Sequence, residues 1–197
     1  MKMRKKRFFL LISFLIISVL TVKSAISEPK AESMPGTKYS REYVYELLKN
    51  EVNQKDIFSA AIDLNNGTSA NSCVYFASET LRRSGISIPK KVANTAQLIY
   101  TLKNKQWKKS INYRELQPGD ICFTTDEKGN KEGLPTHTYI FMGWVQEGNY
   151  KYAYICDNQA KDYENKVYHI RNISVQDKIN GNSKEAFSFF MRPLKSI

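Results

Sequence analysis

Cysteine is scarce in this 197-residue chain: three residues, at 73, 122 and 156. None forms the closely spaced Cys pair that zinc sites show, and three widely separated thiols do not make a disulfide scaffold. An odd number leaves at least one thiol free. Histidine is scarcer still, with only His137 and His169. Long apolar runs are limited to Phe8–Val22, whose 15 residues fall short of the ~20 needed to cross a hydrocarbon core. No stripe of Lys and Arg with interleaved aromatics occurs, so nucleic acid is not an expected partner. Internal repeats and low-complexity tracts are absent too.

What is present begins with a targeting pattern. The basic start Met1-Lys2-Met3-Arg4-Lys5-Lys6-Arg7, the apolar run and the small residues Ser24, Ala25 and Ser27 read as a signal peptide over 1–25. Cleavage near Ala25 removes six of the 30 basic residues and none of the 19 acidic ones, leaving +5 where the whole chain carries +11. That residual charge favours approach to an anionic surface such as a cell wall. The expectation is a secreted, cell-surface or periplasmic protein, touching a membrane only through residues 8–22 if they stay attached. Residues 26–38, with Pro29, Pro35 and Gly36, suit a linker, and 39–197 a single globular domain.

Helical signals come first in that domain. Val44, Leu47, Leu48 and Val52 recur at helical spacing with Ser40 as an N-cap, and a second short helix is expected around Asp56–Leu64. Residues 65–72 read as a loop, with Asn71 and Ser72 as caps for a third helix that opens at Cys73 and ends near Gly85. Its buried stripe is Cys73, Phe76, Ala77, Thr80 and Leu81. Asn94 and Gln97 stand in capping-box spacing before a fourth helix. Strand patterns then take over. Leu116-Gln117-Pro118-Gly119-Asp120 makes a turn into Ile121-Cys122-Phe123, Asp120 serving the turn. A polar loop, 126–135, precedes a strand Thr136–Trp144, and Glu147-Gly148-Asn149 turns into Tyr150–Cys156. Two later stretches, Lys166–Ile170 and Ala186–Arg192, complete the sheet. Helices followed by antiparallel strands predict an α+β architecture.

A thiol reacts as thiolate, so a nucleophilic Cys needs a neighbour that favours the anion. Cys73, at the start of a helix, meets unpaired N–H groups and the positive end of the macrodipole. His137, at a strand head beside a loop, is the accessible candidate base, whereas His169 reads as a solvated or hydrogen-bonded strand residue. Asp157, Asn158 and Gln159 end the strand that hairpins back from His137, and one of them can orient the imidazole. Asp157 is the first choice and Asn158 the second, since alternation sends them to opposite faces. Cys122 and Cys156 read as core residues that could pair only if their strands bring them together. Tyr139 and Trp144 read as strand packing.

Asn71-Ser72-Cys73-Val74-Tyr75-Phe76-Ala77, the Leu116–Phe123 turn and strand, His137-Thr138-Tyr139-Ile140-Phe141-Met142-Gly143 and the polar strand end, in that order, resemble the NlpC-type and CHAP families of papain-like cysteine peptidases and amidases. The resemblance covers residues 71–159, about half of the expected mature chain. It implies a papain-like fold with N-terminal helices packed on an antiparallel sheet, Cys73 as nucleophile, His137 as base and one of Asp157, Asn158 or Gln159 as orienting group. It implies no cofactor and no metal. The implied activity is hydrolysis of amide bonds in the stem peptide or cross-bridge of bacterial peptidoglycan by a monomer. Two alternatives remain open: a cysteine peptidase acting on a protein or small amide, and an inactive binding or inhibitory protein on the same fold. Ser72 and Val74-Tyr75 around the nucleophile look more like CHAP, whereas Asp157 and Gln159 stand where that family usually has Glu and Asn.

Overall fold

Asn50 divides the first helical stretch in two. In the computed structural model, which describes residues 41–194, α1 runs Arg41–Lys49 and α2 runs Glu51–Leu64. The Asn50 side chain accepts from the N–H groups of Val52 and Asn53 at 2.9 and 3.2 Å and so starts a new helix. Val52 accordingly belongs to α2 and is exposed, not part of the first helix's buried stripe. The apolar run 8–22, the expected cleavage region, the linker 26–38 and Ser40 lie outside the described residues.

Helix α3, Cys73–Arg83, buries its whole expected stripe, together with Val74 and Ser78. It stops where expected: Gly85 takes φ +84°, open to glycine at little steric cost. Helix α4, Thr95–Asn104, starts on a reciprocal cap in which Asn94 accepts from the Gln97 N–H at 3.0 Å and Gln97 accepts from the Ala93 N–H at 2.8 Å.

The strands are β1 Trp107–Ser110, β2 Ile121–Thr124, β3 Thr138–Gln146, β4 Asn149–Cys156, β5 Tyr168–Asn172, β6 Asp177–Ile179, β7 Asn182–Lys184 and β8 Phe187–Pro193. Six of them form one antiparallel sheet in the order β1-β8-β2-β3-β4-β5, and β6 and β7 form a separate hairpin. The architecture is α+β. Gly119, at φ +93°, turns the chain into β2, and its N–H donates to the Phe141 carbonyl at 2.8 Å, which locks the turn onto β3.

Each sheet face carries an apolar cluster. On one, Val44, Leu48, Ile57, Phe76, Leu81, Leu98 and Leu102 from the helices meet Ile121, Phe123, Ile140, Met142 and Cys156. On the other lie Cys122, Tyr139, Phe141, Ala153, Ile155 and Phe190. Cys122 pairs with Tyr139 and Cys156 with the next residue of β3, Ile140, so the two thiols point to opposite faces. All three cysteines are free, and alternation rules out the Cys122–Cys156 disulfide left open by the sequence.

Candidate active site

Three elements supply the site. Cys73 is the first residue of α3, His137 immediately precedes β3, and Asp157 immediately follows β4. The strand expected to begin at Thr136 begins instead at Thr138, because the His137 N–H donates to the Thr124 hydroxyl oxygen at 3.1 Å where a backbone carbonyl would continue the ladder. His137 therefore stands at the end of the sheet, clear of a regular strand.

The expected caps of α3 do not form. Ser72 occupies the N-cap, but its hydroxyl donates to the Ser69 carbonyl at 2.8 Å and takes up no helix N–H, while Asn71 takes φ +57° in the loop before it. The first intrahelical bond runs from the Phe76 N–H to the Ser72 carbonyl. The Cys73, Val74 and Tyr75 N–H groups thus belong to the turn that lacks intrahelical acceptors, beside the Cys73 sulfur.

His137 Nε2 lies 2.8 Å from Asp157 Oδ2, with both side chains almost fully buried. An ionised carboxylate only accepts, so Nε2 carries the proton of this bond and Nδ1 is left for Cys73. Burial by itself would lower the His137 pKa. The bond to Asp157, then hydrogen bonding and charge interaction with Cys73, outweigh it and raise the pKa to about 9. Burial would likewise raise that of Asp157, but the positive charges of His169 in its protonated form, His137 and Arg171 hold it well below the usual carboxylate range. Cys73 is 7 % and His137 5 % exposed, so the pair shows solvent only an edge.

Asn158 is directed elsewhere. Its Nδ2 donates to the Ser69 carbonyl at 3.0 Å and ties the strand end to the loop that leads into Cys73. The Gln159 backbone N–H donates to Asp157 Oδ1 at 2.7 Å. His169 is not solvated. It is buried on β5, its Nδ1 lies 3.0 Å from the Lys166 carbonyl, and its Nε2 lies 3.7 Å from Asp157 Oδ1. Sequence reasoning missed this second imidazole on Asp157, together with Tyr163, stacked on His169 at 3.6 Å. The register that pairs His169 with Ile155, two residues before Asp157, carried the signal, but that register is a property of the assembled sheet.

No protein-family model, curated protein or solved structure matches this chain. The chemistry of the site therefore rests on its own geometry. A thiol, an imidazole and a buried carboxylate stand in sequence, each supporting the charged form of the next. Among the described residues no group of three or more His, Cys, Asp or Glu is arranged to hold a metal ion.

Proposed function

We propose that the chain is an exported cysteine hydrolase of papain-like arrangement that cleaves amide bonds of bacterial peptidoglycan. The observation that carries this reading is the 2.8 Å bond from Asp157 to His137, on an imidazole whose other nitrogen is left for Cys73. Cys73 is the nucleophile, His137 the acid and base, and Asp157 the group that fixes the ring and supports its charge.

In the first half-reaction the Cys73 thiolate attacks the amide carbonyl carbon, forming a C–S bond and moving the carbonyl electron pair onto oxygen. The Cys73, Val74 and Tyr75 N–H groups, in the turn without intrahelical acceptors, are the proposed donors for that oxyanion. Collapse breaks the C–N bond as the His137 imidazolium gives its proton to the departing amine. Water, deprotonated by the neutral His137, then attacks the thioester, releasing the acid and restoring the thiolate. No cofactor enters these steps.

The targeting pattern of residues 1–25 and the charge of +5 after its removal support a wall substrate. Purified wall fragments are incubated with the protein and with Cys73→Ala, and the products are analysed by mass spectrometry. New amine termini that depend on Cys73 are expected in stem peptide or cross-bridge. Cleavage of a protein but of no wall chemistry moves the substrate to polypeptide. Absence of any Cys73-dependent hydrolysis overturns the enzyme reading in favour of a binding or inhibitory protein.

A further inference from the structure

Asp157 faces two imidazoles. Oδ2 binds His137 Nε2 at 2.8 Å, while Oδ1 accepts the Gln159 N–H at 2.7 Å and lies 3.7 Å from His169 Nε2. At its other nitrogen, 3.0 Å from the Lys166 carbonyl, His169 has a partner that can only accept. Nδ1 therefore carries a proton in either charge state, and in the neutral ring Nε2 is a bare lone pair. That lone pair is buried, has no hydrogen-bond partner and is turned towards a carboxylate oxygen. A neutral His169 consequently gives Asp157 nothing, whereas a protonated one brings a second N–H and a positive charge.

The ring has little freedom to turn away. Tyr163 stacks on it at 3.6 Å with an interplanar angle of 13°. The Tyr163 segment is in turn pinned by Asp162, which accepts from Lys184 Nζ at 2.6 Å and from Asn182 at 2.8 Å. On the basis of this geometry, and resting on the catalytic reading above, we propose that His169 is a positioning residue: neutral, it leaves Asp157 committed to His137, and protonated, it competes for Asp157 and weakens that hold.

The groups around His169 act on its proton in opposite directions. Burial lowers its pKa first, and the Arg171 and His137 charges act in the same direction. Asp157 and the Lys166 carbonyl oppose them. From the remaining neighbours, Asp162 and Lys184 pair with each other, Glu164 pairs with the Lys166 side chain, and Tyr163 has its phenol pushed up to about 12 by burial, so it stays neutral. Together these causes lower the His169 pKa from its ordinary value, so acidification is the direction in which the ring gains its proton. His137, with its pKa near 9, keeps its own proton throughout.

Because the chain has two histidines, the device can be read directly by imidazole 15N–1H NMR on the full-length protein titrated from pH 8 to pH 4. The His137 Nε2–H signal is expected far downfield at pH 8 and should move upfield in step with the titration of the His169 nitrogens. In His169→Asn, which keeps a donor for the Lys166 carbonyl, that step should vanish while the His137 signal stays. A His137 signal that does not move through the His169 titration in the unmodified protein overturns the proposal, whether or not the variant folds. The readout needs no turnover, so a protein that shows this coupling but cleaves nothing would sink the hydrolase reading and leave the coupling standing. With an active protein, loss of the same acid-side step from the rate profile of His169→Asn is the matching kinetic result.

Discussion

Asp157 is where one residue serves several neighbours, and its replacement is the sharpest test at this scale. Asp157→Asn retains the shape but removes the charge that supports the His137 imidazolium. For the proposed hydrolase, a loss in rate of about 10³-fold or more is expected from steady-state kinetics with the fold intact, the size seen when the carboxylate of a catalytic triad is neutralised. His137→Ala should abolish turnover. If His169→Ala inactivates a folded protein and His137→Ala does not, the roles of the two rings are reversed. Thiol reactivity separates the cysteines. Cys122 and Cys156 are fully buried, and burial pushes both thiols well above the ordinary range. Iodoacetamide on the native protein, followed by peptide mapping, is therefore expected to label Cys73 first; equal labelling of all three would remove the case for an activated Cys73.

At the scale of elements, the turn before β2 and the start of α2 carry measurable free energy. A Cβ on Gly119 would clash with the Arg41 carbonyl oxygen, in a backbone region that L side chains avoid. Gly119→Ala is expected to destabilise by about 2 kcal/mol or more, read from urea unfolding. Removing the cap in Asn50→Ala should cost about 1 kcal/mol. Both positions lie away from Cys73, His137 and Asp157, and the first change is also expected to disturb the seating of β2 against β3. The β6–β7 hairpin turns through Asn180-Gly181, both at positive φ, a two-residue signal that sequence reading passed over. Strand β1 was missed as well, since Trp107-Lys108-Lys109-Ser110 has one buried residue and takes its order from pairing with β8.

For the whole molecule, the same charges tie stability to pH. The folded His137 has a pKa raised to about 9, so its contribution is fully present below the ordinary imidazole value and is lost as pH rises through about 9. Asp157 has the opposite sign: its contribution is present above the ordinary carboxylate value and is lost only as pH falls through its depressed folded pKa. Urea unfolding between pH 6.5 and 10 should therefore show a decline in stability that is shallower in His137→Gln. Equal slopes in the two proteins would mean that the imidazole is not held in its charged form by the fold.

Local chemistry determined much of this by itself. Helix caps at Asn94 and Gly85, the Gly119 turn, the loop before Cys73 and the position of Cys73 at a helix start depend on contacts within a few residues, and local patterns record such contacts. The split at Asn50 was also written locally but was masked by a helical period that continued through Val52. Only the tertiary structure decided which polar group at the end of β4 turns to His137, that Asn158 instead ties down the Ser69 loop, that His169 faces the other oxygen of Asp157, and that Cys122 and Cys156 are kept apart on opposite faces. Each of these depends on strand register, where a slip of one residue exchanges the two faces of a sheet, and register is set by pairing between segments distant in the chain.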